Sequence, residues 1–202
     1  MKLTVIIPVY NQENLIKIGL SSIPPRDDIE VIIIDDGSTD GTYNEIRNYQ
    51  LSSKKNVMII SNFENLGVAR SVNKGIDYAF GEYIVLLGAD GDYFVNLDKG
   101  MEYLDGTDLI YFPLEINSGK IWNPRECAAG SCKFMRREFI GETRNPILKN
   151  CEDNEFYKLL KLKNPTEKFL TKEIMYKHYN YPRKGSLVWE VENGLSGRGE
   201  EL

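Results

Sequence analysis

The chain has 202 residues, with 25 basic and 30 acidic side chains, a formal net charge of -5 and one histidine. That length is enough to bury an α/β core without disulfide or metal staples, and the acidic balance argues against a protein whose main work is coating nucleic-acid phosphates. Nothing in it reads as a signal peptide or a bilayer-spanning helix, so the expectation is a cytoplasmic protein, with peripheral attachment to a membrane left open. Cys127, Cys132 and Cys151 cannot all pair and have no second ligand pair of the zinc type, so they read as reduced thiols.

The first half alternates short β-branched runs with helical patterns, the signature of βαβ units and a mostly parallel, twisted sheet flanked by helices. Strands are predicted over Leu3–Val9, Ile29–Ile34, Val57–Ser61 and Tyr83–Leu87. Each is nearly all apolar, as strands covered on both faces should be. Helices are predicted over Glu13–Ser22, Gly41–Tyr49 and Val68–Phe80, with Gly81 where a helix end favours a left-handed residue. Past Asp92 the pattern loosens into a helix over Asn96–Leu104, a strand over Asp108–Phe112, a hairpin turning at Asn117-Ser118-Gly119 and a helix over Glu152–Leu162. From Leu187 the tail is polar and rich in glycine. A single domain is expected.

Open parallel sheets bind ligands at the carboxyl edge of their strands. Polar residues collect there: Tyr10-Asn11 after the first strand, Asp35-Asp36-Gly37-Ser38 after the second, Asn62 to Asn65 after the third and Gly88-Ala89-Asp90-Gly91-Asp92 after the fourth. Solubility does not account for four such loops on one edge, and a nucleotide pocket does. The first strand runs into Pro-Val-Tyr-Asn rather than Gly-x-Gly-x-x-Gly, which argues strongly against a dinucleotide-dependent oxidoreductase. A sugar nucleotidyltransferase would want a basic, glycine-rich loop at the same place, and none is present.

The blocks Val5-Ile6-Ile7-Pro8-Val9-Tyr10-Asn11, Val31 to Thr42 with its Asp35-Asp36-Gly37-Ser38, Asn65 to Gly75 with its Asn65-Leu66-Gly67, and Gly81 to Leu87 together resemble inverting glycosyltransferase family 2 in order and spacing. The resemblance implies a GT-A fold, a nucleoside diphosphate sugar as donor (a UDP-sugar above all), and Mn²⁺ or Mg²⁺ bridging the diphosphate. It implies nucleoside contacts from Pro8, Tyr10, Asp36 and Arg70. An aromatic ring can stack on a base, a carboxylate can accept from a base N–H, and an arginine can bond base or phosphate oxygens. Turn formation and helix capping would also explain Asp35 and Asp36.

In the same alignment Gly88 stands where the family carries its first acidic-loop Asp, and Asp90 where it carries the metal-binding one. Asp90-Gly91-Asp92 can alternatively be a shifted Asp-x-Asp, with Asp92 as a second ligand. The segment Cys151-Glu152-Asp153-Asn154-Glu155 resembles the family's Glu-Asp motif at a helix start. That match makes Asp153 the general base and Glu152 an acceptor-side neighbour, although acids in a first helical turn also complement the macrodipole. Ala129 to Phe139, with Ser131, resembles the stretch lining the sugar and acceptor site. Tyr176-Lys177-His178-Tyr179 resembles a late segment whose histidine can join the metal or diphosphate. Arg183 and Lys184 follow in a loop suited to clamping phosphate oxygens. The implied reaction is single-sugar transfer to a glycan, lipid-linked or protein acceptor, nucleic acid being the least favoured. The loss of the first Asp at Gly88 leaves a nucleotide-sugar-binding module without turnover as the alternative.

Overall fold

The structure, a computed structural model, describes residues 1–53, 56–116, 118–122, 130–148 and 152–178. Its first half runs β1 (Leu3–Val9), α1 (Ile16–Ser21), β2 (Ile29–Asp35), α2 (Thr42–Ser52), β3 (Asn56–Ser61), α3 (Val68–Tyr78) and β4 (Tyr83–Leu86). The four strands end within one residue of their predicted bounds, because each is a nearly all apolar run closed by a polar loop. Helix α1 is shorter than its pattern suggests. Residues before Ile16 are held by the neighbouring loop, with Glu13 N–H donating to Asp40 and Gly41 N–H donating to Glu13 Oε2 at 2.7 Å.

The second half runs β5 (Tyr93–Phe94), α4 (Leu97–Met101), β6 (Leu109–Tyr111), β7 (Leu114–Ile116), β8 (Ile121–Trp122), a 3₁₀ turn (Gly130–Cys132), β9 (Lys133–Arg136), α5 (Arg137–Ile140), α6 (Glu152–Lys161), β10 (Glu167–Phe169) and β11 (Tyr176–His178). Seven strands form one sheet in the order β10-β6-β9-β4-β1-β2-β3, and a smaller sheet runs β5-β11-β7-β8. The large sheet is parallel except at β9, which lies antiparallel between β4 and β6. It therefore draws strands from both halves of the chain into one domain. The predicted hairpin is β7–β8, with Leu114 opposite Trp122 and Gly119 N–H donating to Ile116 at 2.8 Å; Asn117 of its turn lies outside the described residues.

Alternation along the strands sends side chains to two cores. Leu3, Val5, Ile7 and Val9 of β1 and Ile29, Val31 and Ile33 of β2 pack with Ile16 and Leu20 of α1, Ile46 of α2 and Leu97 of α4. On the other face Ile6, Ile32, Ile34 and Ile84 meet Val72 and Ile76 of α3 and Phe156 and Leu160 of α6. Each such side chain contributes about 1.5–3 kcal/mol when fully buried, so the strand ends sit on a rigid platform. Gly81 has a different task from the one predicted. Its φ is not positive; instead a β-carbon there would lie 2.5 Å from Thr4 N. Close approach of the chain to β1, secured by Gly81 N–H bonds to Thr4 Oγ1 and Glu30 Oε1, is what requires the glycine.

Candidate active site

The carboxyl ends of β1, β2 and β3 are tied together by backbone bonds, Asp36 N–H to Val9 O and Asn62 N–H to Asp35 O, both 2.8 Å. Leu87 N–H donates to Ile6 O on the opposite side of β1, and β1 pairs with β4 only as far as Ile6. Alternation then turns Pro8 toward the β4 side, beyond the end of the ladder. A residue with no N–H costs no β4 bond there. Tyr10 follows, with 42% of its surface exposed, which leaves a ring face open at this crevice.

Asp36 is 3% exposed. Its Oδ1 accepts from Asn62 Nδ2 at 2.7 Å and from Leu66 N–H at 3.0 Å, and its Oδ2 accepts from Gly67 N–H at 2.9 Å. A carboxylate has about four acceptor positions, and three are spent holding the β3–α3 loop. Arg70, exposed in the first turn of α3, donates to Leu66 O at 3.2 Å. Asp36 thus sets the loop that leads into α3, to which Arg70 bonds back. Asp35 is also buried and accepts from Ser38 N–H at 3.1 Å, the turn role that sequence left open for it.

The fourth loop is folded inward. Asp92 is 4% exposed, and its Oδ2 accepts from the Tyr176 hydroxyl at 2.8 Å and lies 2.7 Å from His178 Nδ1. Tyr176 in turn accepts from Gly88 N–H at 2.9 Å. Gly91 adopts φ 100°, a left-handed conformation that favours glycine and reverses the chain between the two acids. A β-carbon on Gly88 would lie 2.5 Å from Asp92 Oδ2 and 3.1 Å from Asp90 Oδ1, so both carboxylates face the bare backbone of residue 88. Burial alone would lower the His178 pKa, but the bond to Asp92, with the charges of Asp92 and Asp90, carries it above the usual histidine value. Burial and the Asp92 charge likewise push the Tyr176 phenol well up.

The second half supplies the other wall. The 3₁₀ turn Gly130–Cys132, with half-buried Ser131, touches both β4 and α6. Cys132 is buried, outside any disulfide, and close enough to act on the His178 charge. Glu152 and Asp153 open α6, both half-buried. Burial lifts the Glu152 carboxyl above the ordinary carboxylate range, and the charge of Asp153 adds to it. The structure thus brings Asp90, Asp92 and His178 together, with Ser131 on the turn that packs on β4 and Glu152 and Asp153 on the helix that packs on that turn. Arg183 and Lys184, with Cys127 and Cys151, lie outside the described residues.

Two contributors escaped the sequence reading. Tyr176 shares a strand face with His178, since residues two apart on a strand point the same way; that spacing was the available signal. Lys133 is 1% exposed at the start of β9, its Nζ 5.3 Å from the centre of the Tyr157 ring one helical turn after Asp153. The sequence resemblance assigns the segment to the sugar and acceptor site without singling out Lys133.

Asp90, Asp92 and His178 offer carboxylate oxygens and an imidazole, a donor set that suits Mn²⁺ or Mg²⁺. Among the described residues no three such side chains are gathered closely enough to hold an ion by themselves. Magnesium-type sites are commonly completed by water and substrate phosphates, and these residues fit that case. No described helix is long and apolar enough to cross a membrane.

Comparison with known proteins places this geometry. The GalNAc(5)-diNAcBac-PP-undecaprenol beta-1,3-glucosyltransferase of Campylobacter jejuni is 31% identical over 175 residues, which is 77% of this chain and 56% of that protein. S. aureus TarS 1-349, solved in complex with UDP-GlcNAc, superposes with a TM-score of 0.76 at 23% identity, covering 89% of this chain and 58% of the other. The mannosyltransferase PcManGT of Pyrobaculum calidifontis, solved with GDP-Man and Mn²⁺, gives a TM-score of 0.76 at 21% identity, covering 95% and 60%. The chain therefore spans a little over half the length of these proteins, and the two superpositions give it the GT-A fold. Residues 4–108, more than half of the chain, match the model of Glycosyl transferase family 2, and the chain belongs to that family.

Proposed function

We propose that this chain transfers a sugar, with inversion, from a nucleoside diphosphate sugar to an acceptor hydroxyl, with a UDP-sugar favoured as donor. The observation that carries the reading is the placement of two sets of acids about the Gly130–Cys132 turn: the turn packs on β4, whose following loop holds Asp90 and Asp92 with His178 against Asp92, and on α6, whose first turn holds Glu152 and Asp153. The complexes of TarS with UDP-GlcNAc and of PcManGT with GDP-Man and Mn²⁺ support this class of donor.

Pro8, Tyr10 and Arg70 line the crevice beyond β1 and bind the nucleoside, with Asp36 holding the loop that leads into the helix of Arg70. Asp90 and His178 face the diphosphate and would hold the divalent ion, which when bound supplies positive charge against the departing diphosphate. Asp153 accepts the proton of the acceptor hydroxyl as its oxygen attacks the anomeric carbon. The bond from that carbon to the diphosphate oxygen breaks on the opposite face, and its electron pair leaves with the diphosphate. Glu152, with its raised carboxyl pKa, hydrogen-bonds the acceptor as Asp153 takes the proton. Ser131 lines the same side.

Residues 1–95 form the donor-binding half and residues 96–202 the acceptor half, with Arg183 and Lys184 as phosphate clamps. A glycan, lipid-linked sugar or protein side chain suits as acceptor, in the cytoplasm or at a membrane surface. The test is a thermal-shift panel of UDP-, GDP- and dTDP-sugars with and without Mn²⁺, followed by assay of nucleoside diphosphate release. A donor of this class must raise the melting temperature; absence of any shift and any release would sink the reading.

A further inference from the structure

The side chain of Asp92 does not point out of the loop. It turns back over residue 88, where a β-carbon would come within 2.5 Å of its Oδ2, and it engages two residues of β11 that share one strand face, the Tyr176 hydroxyl at 2.8 Å and His178 Nδ1 at 2.7 Å. Tyr176 is buried and fixed in turn by Gly88 N–H and by edge-on packing against Phe94 at 5.6 Å. The Tyr176 hydroxyl, one of the two groups that set the direction of the Asp92 carboxylate, is therefore itself held.

We propose that Asp92 is a positioning residue for His178 rather than a direct ligand of the donor's cation. Its carboxylate occupies the room that a side chain at position 88 would need. It holds the proton of the neutral imidazole on Nδ1, which makes Nε2, the nitrogen turned away from Asp92, the basic atom offered to the cation. Which ring nitrogen carries the proton is decided by the bond the other makes, and a carboxylate behind an imidazole is a common way of aiming it at a metal. The bare backbone of Gly88 is then a requirement of the site: glycine at 88 and aspartate at 92 depend on each other. This rests on the proposed function only in assigning the cation to the donor diphosphate.

The test starts from metal-free protein, where failure of the donor reading cannot interfere. The chain has one histidine, so its ring ¹⁵N signals are unambiguous. At a pH where the ring is neutral, the expected form is Nδ1–H; an Nε2–H ring would overturn the proposal. Gly88→Ala, which adds no ligand and removes none, is expected to displace the Asp92 carboxylate and release the ring into a mixture of forms. Asp92→Asn keeps an amide oxygen for Nδ1–H, so it should retain the ring form. It should also hold Mn²⁺, measured with UDP by broadening of the His178 signals, far better than Asp92→Ala. The alanine variant is expected to lose about 10- to 100-fold in Mn²⁺ affinity. Melting curves check that each variant is folded. Equal loss of Mn²⁺ in the asparagine and alanine variants, with the ring form unchanged in both, would make Asp92 a direct ligand and end the proposal.

Discussion

The ends of β1, β2 and β3 and the loop after β4 carry polar residues on the same sheet edge, but they are built in different ways. At the first three strands the bonds are mostly made by backbone, between strands already in register, and Asp36 adds one carboxylate that clasps the next loop. The loop Gly88 to Asp92 is held by side chains from residues 84 and 86 positions away in sequence, Tyr176 and His178. The first region needs only that the strands pair. The second needs the small sheet to form, because β11 reaches the loop by pairing with β5 and β7. One region is therefore a platform made by the core, and the other a cluster that substitutions can disorganise while the platform stands.

The largest effect should come at the chemical step, which the platform does not touch. Asp153→Asn is expected to lower transfer by about 10²–10⁴-fold while the donor-induced thermal shift stays. Transfer near the parent rate would take the base role from Asp153. Asp90→Ala should weaken Mn²⁺-dependent donor binding by about 10-fold or more, read by calorimetry, with the melting temperature of the metal-free protein little changed; an unaltered Mn²⁺ requirement would show that the loop is not the cation's seat.

Substitutions in the platform should read out as stability instead. Asp36→Ala strands the N–H of Leu66 and leaves Gly67 N–H and the Asn62 amide with only their weaker bonds to Asn65 and Ser71, at a cost of about 1–3 kcal/mol, seen in denaturant melts together with weaker donor binding. If stability were unchanged, the clasp between β2 and the β3–α3 loop would have no energetic meaning. Gly75→Ala would put a β-carbon 2.5 Å from Ile6 Cγ2, forcing α3 off the sheet at about 1–3 kcal/mol. Donor affinity per folded molecule should survive, since the site lies beyond the strand ends.

The smallest effect concerns Glu152. Its carboxyl binds a proton more readily folded than unfolded, so the folded state carries more protons between the two pKa values and stability falls as pH rises through that window. Glu152→Gln removes the charge that burial disfavours. It should raise the melting temperature slightly at neutral pH, with the gain fading once the pH drops below the ordinary glutamate range of about 4.3. A gain that persists at low pH would show that it has some cause other than the buried charge.

Sequence by itself determined the platform and its edge. Unbroken runs such as Val31-Ile32-Ile33-Ile34 can be satisfied only by a strand covered on both faces, and the loops that close such strands must gather at one edge. The same local logic marked α3, α6 and the β7–β8 hairpin, while the resemblance to glycosyltransferase family 2 brought Asp90, Asp153 and His178 into view. It could not show that Lys133–Arg136 threads antiparallel between β4 and β6, because Lys133 is buried by neighbours distant in sequence rather than by its own pattern. Nor could it show which way the acids of the fourth loop face. Only the tertiary structure decided that Asp92 turns inward onto His178 and Tyr176. The direction of a short loop carboxylate depends on the donors that another part of the chain brings to it, and Gly88 supplies the space.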